Sequence, residues 1–138
     1  MWTRQRCIKH WCIRLSSLDI SQLNEQAKTR QLDVRGIVAD LYAYEAIHQF
    51  DIILMDAMLH FCKNDIDKET ALLEHILRPV KPNGQIVIAI QESATRIKHL
   101  KKTILNSHST FDIEEETHFI YEAFHSKFYM IAARKVSV

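Results

Sequence analysis

The chain has 138 residues, and 47% of them are hydrophobic, which suits one globular domain with a buried core. The 18 Lys and Arg residues are balanced by 17 Asp and Glu residues, so the formal net charge is only +1. This balance gives no electrostatic basis for binding nucleic acid or a membrane, and we expect neither partner.

The cysteine and hydropathy patterns favour a cytoplasmic protein without a metal. Cys7, Cys12 and Cys62 are odd in number and lack paired metal-ligand spacing, which favours free thiols in a reducing compartment. The histidines are also scattered without ligand spacing. Lys9 and Arg14 interrupt any signal-peptide core, and no run approaches the ~20 apolar residues of a membrane span.

The first half of the chain predicts one helix and two strands. Residues 21–32 are rich in helix formers, and Ser21 is placed to cap the first turn. Residues 34–40 form a short β-branched run, and residues 50–57 form an almost wholly apolar one. Both runs are typical of strands that are buried on two faces.

The next segment predicts a helix, a turn and a third strand. Asp65 or Asp67 can cap the helix, which ends before Pro79 because proline disfavours helical geometry in the preceding residue. Residues 81–84 have turn chemistry, and residues 85–90 form a third buried strand. The helix is expected to bury one apolar stripe of Leu72, Leu73, Ile76 and Leu77.

The last segment predicts a helix and a hairpin. The helix has one apolar face formed by Ile97, Leu100, Ile104 and Leu105. Residues 117–124 and 128–135 then form a hairpin. The alternation of strands and helices, closed by a hairpin, predicts an α/β fold whose sheet is mostly parallel with one antiparallel strand near its edge. Ligands of such sheets bind beyond the carboxyl ends of the strands.

Five segments, in their order, resemble the class I S-adenosylmethionine-dependent methyltransferases. They are LDIS (18–21), VADL (38–41), FDIILMDAMLHF (50–61), LLEHILRPVKPNGQIVIAI (72–90) and YMIAARK (129–135). The resemblance implies a Rossmann-like methyltransferase domain over residues 15–138, preceded by an atypical basic segment at residues 1–14. It also implies S-adenosyl-L-methionine as the cofactor and a small molecule as the methyl acceptor.

The same resemblance implies the residues that bind the cofactor. Asp19 resembles the acid that ends the family's second strand and accepts hydrogen bonds from both ribose hydroxyls, a role that suits the two oxygens of a carboxylate. Asp40 resembles the acid after the third strand, which can bond the adenine amino group. Helix capping before Ser21 explains Asp19 equally well. The whole set is Asp19, Ile20, Asp40, Leu41, Met55, Asp56 and Ala57.

His60 is the candidate catalytic residue. Leu59 and His60 resemble a Leu-His pair that follows the FD strand of the family, and an imidazole can act as a general base near pH 7. The alternative is that His60 only packs or orients the substrate. An acceptor pocket is expected around the acidic and aromatic C-terminal region, with Glu114, Glu115, Glu116, Tyr121, Phe124 and Tyr129.

The sequence departs from the family near its start. The family has a first strand and a Gly-x-Gly-x-Gly turn there, because only glycine lets the backbone approach the cofactor closely. Residues 1–17 contain no glycine, and Gly36 and Gly84 lie elsewhere. We therefore expect a chain that is truncated relative to the family.

Loss of the family's central first strand would leave sheet edges unpaired. The basic N-terminal segment, a second copy in a homodimer, or residues upstream could fill the gap. In a variant of the first alternative, CIRLSSL (12–18) is the central strand, and Asp40 then takes the ribose role.

Two other functions compete with methyl transfer. The fold can be catalytically inert and bind a partner, as the missing glycine turn suggests. The chain length and DIILMDAML (51–59) also resemble a phosphoacceptor receiver domain, in which Asp56 would be the acceptor.

Overall fold

The computed structural model describes residues 10–14 and 17–137 of the chain. Within them lie six strands and three α-helices, and the chain divides into two compact units, residues 1–45 and residues 46–138. The predicted division, between a basic segment at residues 1–14 and a domain at residues 15–138, is a different kind of boundary. It stays a prediction.

The first unit has a strand, helix, strand arrangement. β1 (His10–Arg14) is followed by α1 (Ser17–Thr29) and then by β2 (Val34–Val38), and the two strands pair in parallel. Ile20 and Ala27, two turns apart on α1, are buried at 4% and 5% exposure. They form the apolar stripe that holds the helix on its strands.

The predicted strand ending at Asp19 is wrong, because Asp19 lies in the first turn of α1. The helix begins at Ser17, so Ser21 is inside it and is not its cap. Ile20 extends the helical stripe of Leu23 and Ala27, and an acid in the first turn interacts favourably with the helix dipole. The strand lies earlier, at β1, so the basic N-terminal segment does supply a strand beside β2.

The second unit is a mixed four-stranded sheet with two helices. Its elements are β3 (Phe50–Asp56), α2 (Ile66–Leu77), β4 (Val80–Gln91), α3 (Ala94–Leu105), β5 (Phe111–Tyr121) and β6 (Ser126–Lys135). The strand order is β3-β4-β6-β5, in which β3 and β4 are parallel and β6 is antiparallel to both of its neighbours. The predicted α/β fold with a closing antiparallel hairpin is confirmed.

The core of the second unit lies on one face of this sheet. Alternate residues of β4, namely Ile86, Ile88 and Ile90, are fully buried, as expected from the two-residue period of a strand. The buried side chains of α2 and α3 include Leu73, Leu77, Leu100 and Ile104. The predicted stripes are thus largely confirmed, although Leu105 is 53% exposed.

The expectation that β3 is buried on both faces is wrong. Met55 is 2% exposed, whereas Ile52 and Leu54 are 63% and 66% exposed. β2 likewise contains no fully buried residue. An apolar run indicates which side chains could be buried, but it does not show which face another element covers.

The predicted turn at residues 81–84 is an irregularity within β4. The register with β3 moves from Phe50 opposite Val80 to Ile52 opposite Gln85, and Asn83 has a left-handed φ of 65°. A Cβ on Gly84 would lie 2.8 Å from the carbonyl oxygen of Lys81 in the same strand and 3.0 Å from that of Asp51 in β3. Glycine is therefore required where the two strands approach each other.

Candidate functional site

The segment at the carboxyl end of β3 makes a sharp change of direction. Met55 is buried, Asp56 ends the strand with an exposed side chain, and Ala57 has a left-handed φ of 53°. The Ala57 amide donates a hydrogen bond to the Ala89 carbonyl oxygen at 3.0 Å. This bond ties the end of β3 to β4, so residues 55–57 have a defined backbone at the ligand-binding end of parallel strands.

Residues 58–61 continue from this bend and present His60 to solvent. Leu59 and Phe61 are buried at 1% and 6% exposure, whereas His60, between them, is exposed. Within the described residues, no side chain hydrogen-bonds to the His60 imidazole. Its place is therefore set by the backbone and by its buried neighbours, and its side chain lies open to solvent.

The backbone of this loop is held by Glu69, a residue that belongs to none of the predicted motifs. The His60 amide donates to the two carboxylate oxygens of Glu69 at 3.1 and 3.2 Å, and the Phe61 amide donates to Oε2. Glu69 is 5% exposed and lies one turn before Leu72 and Leu73 on the apolar stripe of α2. An acid on that stripe was the available signal.

In the first unit, the predicted acids lie at the carboxyl ends of two adjacent parallel strands. Asp19 is in the first turn of α1, which follows β1, and Asp40 follows β2. Both side chains are exposed. Parallel strands have their carboxyl ends at the same edge, so both acids belong to that edge of the two-stranded sheet.

Asp40 also shapes the turn after β2. Its Oδ1 accepts a hydrogen bond from the Tyr42 amide at 3.0 Å, and its carbonyl oxygen accepts one from the Ala43 amide at 3.0 Å. This is the local turn chemistry typical of aspartate. The remaining carboxylate lone pairs can accept hydrogen bonds from a hydroxyl or an amino group.

The other two predicted cofactor-binding residues of this unit, Ile20 and Leu41, are less exposed than the two acids. The Ile20 side chain is buried against β2, where a Cβ on Gly36 would lie 3.0 Å from Ile20 Cγ2. Asn24 accepts a hydrogen bond from the Gly36 amide at 2.7 Å and donates one to its carbonyl oxygen at 3.3 Å. Gly36 therefore serves the contact between α1 and β2, and Leu41 is half-buried.

The acids predicted to form an acceptor pocket are engaged with the surrounding structure. Glu114 accepts hydrogen bonds from Arg134 and Gln85. Glu116 accepts a hydrogen bond from the Tyr129 hydroxyl at 2.6 Å and forms an ion pair with Lys101 at 2.8 Å. Tyr129 is buried, Glu115 and Tyr121 are exposed, and the Phe124 side chain lies outside the described residues.

These contacts shift the pKa values of the groups involved. Hydrogen bonding to Arg134 holds the pKa of Glu114 below its usual value. Hydrogen bonding to Lys101, and then to Tyr129, does the same for the pKa of Glu116. Burial, and then the hydrogen bond to Glu116, raises the pKa of the Tyr129 phenol. Glu114 and Glu116 thus connect β5 to α3 and β6. These contacts explain the two acids without a bound acceptor.

The exposed acids fit the hydrogen-bonding groups of a nucleoside. In the first unit, the exposed carboxylate of Asp40 can accept hydrogen bonds from hydroxyl and amino donors, and Asp19 is a second exposed acid. In the second unit, taken by itself, residues 55–57 have a fixed backbone. No Gly-x-Gly-x-Gly is present in the 138 residues. Among the described residues no cluster of metal ligands occurs, and none of their helices has the length and apolarity needed to cross a membrane.

Comparison with known proteins shows which family and which solved structures this chain resembles. The sequence model of a family described as "Methyltransferase domain" matches residues 1–88. No curated protein has a matching sequence. The fold is similar to that of many solved structures.

Three of these structures illustrate the likeness. The N-methyltransferase NodS from Bradyrhizobium japonicum WM9, in complex with S-adenosyl-L-homocysteine, has a TM-score of 0.74 and 13% identity over 94% of this chain and 67% of its own. A 1,6-didemethyltoxoflavin-N1-methyltransferase from Burkholderia thailandensis, with 1,6-didemethyltoxoflavin and S-adenosylhomocysteine bound, has a TM-score of 0.70 and 15% identity over 92% of this chain and 61% of its own.

The third is an S-adenosylmethionine-dependent methyltransferase from Clostridium acetobutylicum ATCC 824. It has a TM-score of 0.71 and 10% identity over 94% of this chain and 76% of its own. At these identities the likeness shows the fold. The chain spans about two thirds of the length of such proteins, with 61% to 76% covered in these three.

Proposed function

Because the chain belongs to the methyltransferase-domain family, we propose that it transfers a methyl group from S-adenosylmethionine to a small-molecule acceptor. The family match over residues 1–88 is the observation that carries this proposal. The strand order β3-β4-β6-β5 supports it, because the antiparallel β6 does not belong in the parallel sheet of a receiver-type fold. The competing role for Asp56 as a phosphoacceptor therefore has less support.

The proposal assigns cofactor binding to residues at strand ends. Because β2 is the strand that follows α1, Asp40 at its end takes the ribose role, in which a charged acceptor binds hydroxyl donors more strongly than a neutral one. Asp19, in the first turn of α1, would accept a hydrogen bond from another polar group of the cofactor. Ile20 and Leu41 would lie beside these acids. Met55, Asp56 and Ala57 would line the cofactor along the bend that the Ala57 amide fixes.

The bound cofactor supplies an electrophilic methyl group, so the protein's main task is to align an acceptor nucleophile with it. His60 would take the proton that the nucleophile loses, at a ring nitrogen of its exposed imidazole.

The proposal also includes a cytoplasmic location and a homodimer. The homodimer is supported by β3, which pairs with β4 alone among the described residues and exposes Ile52 and Leu54.

The proposal is tested by measuring S-adenosylhomocysteine formed from S-adenosylmethionine in the presence of small amine and hydroxyl acceptors. We expect product above the rate without protein, and a loss of about 10²-fold to 10⁴-fold in His60→Ala if the imidazole is the base. His108→Ala, at another exposed histidine, is the matched control. If the protein binds the cofactor but forms no product with any acceptor, the alternative of a catalytically inert methyltransferase fold is favoured. The absence of a Gly-x-Gly-x-Gly turn supports that alternative.

A further inference from the structure

Glu69 is a buried acid whose carboxylate faces a loop of the backbone. It lies in the first turn of α2 together with Asp67, but Asp67 is exposed and Glu69 is 5% exposed. A favourable interaction with the helix dipole is open to both acids and does not require burial. Burying a carboxylate is unfavourable unless hydrogen bonds satisfy it, and here the amides of His60 and Phe61 do so.

The loop that Glu69 holds has an unusual backbone. Residues 57–61 begin and end with left-handed residues, Ala57 at a φ of 53° and Phe61 at a φ of 50°. This conformation is unfavourable for residues with a side chain, so surrounding contacts must maintain it. The Glu69 carboxylate, which bonds the last two amides of the loop, is such a contact.

A second set of contacts supports the same loop. The Phe61 ring packs edge-on against the His99 ring, with centroids 4.8 Å apart. The Nε2 of His99 is 2.8 Å from the Thr70 hydroxyl oxygen, which itself donates to the Ile66 carbonyl oxygen. Because the hydroxyl proton is used in that bond, the oxygen accepts from His99 Nε2. Thus α2 and α3 together hold Phe61, while the adjacent His60 stays exposed.

We propose that Glu69 is a positioning residue of the methyl-transfer site. Its carboxylate holds the end of the loop at His60 and Phe61, while the Ala57 amide holds the start of the loop on β4. Together these contacts fix residues 57–61 in one conformation, and so set where Ala57 meets the cofactor and where His60 meets the acceptor. This inference rests on the proposed function for its catalytic meaning. The fixed loop itself is a property of the chain without any ligand, and the two parts can be tested separately.

Amide hydrogen exchange of the ligand-free protein tests the loop. In the wild type, the amides of His60 and Phe61 should exchange slowly. In Glu69→Gln, one oxygen becomes an NH₂ group that cannot accept, so both amides should exchange about tenfold or more faster. Glu74→Gln, at an exposed glutamate of the same helix, should leave them unchanged. Fast exchange of both amides in the wild type would overturn the inference without any variant.

Binding of S-adenosylhomocysteine separates positioning from a purely structural role. If Glu69 positions the site, folded Glu69→Gln should bind this probe about tenfold more weakly, while Glu74→Gln binds as the wild type does. An altered exchange rate or melting temperature with an unchanged dissociation constant would show a structural role only, and would overturn the inference. If the wild type does not bind the probe, the proposed function fails, and the exchange rates alone decide whether Glu69 holds the loop.

Discussion

Asp40 combines two tasks at the end of β2, since it closes a turn and keeps an exposed carboxylate. Asp40→Asn should separate the tasks, because asparagine retains an oxygen for the Tyr42 amide but loses the charge. Hydrogen bonds to charged groups contribute about 1.5 to 3 kcal/mol. We therefore expect Asp40→Asn to bind S-adenosylhomocysteine at least about tenfold more weakly than the wild type does. Calorimetric titration measures this change.

The control for this variant is Asp67→Asn, which alters another exposed aspartate in the second unit. It should bind the probe with wild-type affinity. Equal affinity of Asp40→Asn and the wild type would remove Asp40 from the proposed cofactor site.

Glu116 should make the stability of the second unit depend on pH. Its pKa is held below the ordinary value of 4.5, first by the hydrogen bond to Lys101 and then by that to Tyr129. A carboxyl group whose pKa is lower in the folded state stabilises the fold above its unfolded pKa, and this contribution is lost as the pH falls through the folded pKa. The stabilisation should therefore be present at pH 7 and disappear below pH 4.5.

Thermal unfolding of Glu116→Gln checks this pH dependence. The Glu116 side chain is 40% exposed, so the wild type should exceed the variant by only about 0.2 to 1 kcal/mol at pH 7. The difference should shrink towards pH 3, whereas Glu115→Gln, at the adjacent exposed glutamate, should show no such trend. A wild-type advantage that is the same at both pH values contradicts the assignment.

At the residue scale, the sequence predicts positions better than it predicts contacts. Asp40 and Met55 lie near strand ends as predicted, because each stands at the end of an apolar run that forms a strand, and their role at a cofactor site stays a prediction. Asp19 was misplaced because LDIS resembles a strand end, whereas the spacing of Ile20 with Leu23 and Ala27 is helical. The place of Glu69 on the apolar stripe of α2 indicates that it could be buried, but no local pattern shows that its carboxylate bonds amides eight and nine residues away.

At the scale of elements, Gly84 is essential to the junction of β3 and β4. A Cβ there would lie 2.8 Å from the Lys81 carbonyl oxygen and 3.0 Å from that of Asp51, and both are backbone atoms. Gly84→Ala should therefore destabilise the fold by about 1 to 3 kcal/mol, as overpacking does. Denaturant unfolding measures this loss.

Ala71→Gly is a useful comparison for this variant, because it changes an exposed helical position. It should cost only about 0.5 to 1 kcal/mol through helix propensity. A Gly84→Ala protein as stable as the wild type would show that the strands can separate without loss.

The order of the helices and strands was predictable from the sequence. Which of their faces other elements would bury was not predictable. The helix, turn and strand over residues 66–91 follow from capping, Pro79 and the apolar periods, which are local signals. The exposure of Ile52 and Leu54 depends on what packs against β3, and no local pattern encodes that. The strand at residues 10–14 was likewise only one of several alternatives, since its pairing with β2 is a contact between distant residues.

At the scale of the whole molecule, the proposed homodimer depends on the exposed side chains of β3. A lysine on the exposed face of this strand should oppose pairing between copies, because charged residues at strand edges block association. The wild type should therefore behave as a dimer in light scattering coupled to size-exclusion chromatography, and Leu54→Lys as a monomer. Leu105→Lys, at a leucine of α3 that is 53% exposed, should remain dimeric.

A wild type that is monomeric at all concentrations would contradict this homodimer. It would leave the methyl-transfer proposal intact, because that proposal depends on family membership and on residues of the chain itself.

The central claim is that this chain binds the methyltransferase cofactor although its sequence has no Gly-x-Gly-x-Gly. Calorimetric titration of the purified wild type with S-adenosylhomocysteine tests it most directly. We expect saturable heat with one site per chain and a dissociation constant of about 1 mM or tighter. Absence of binding heat at millimolar ligand, from protein shown to be folded, would contradict it.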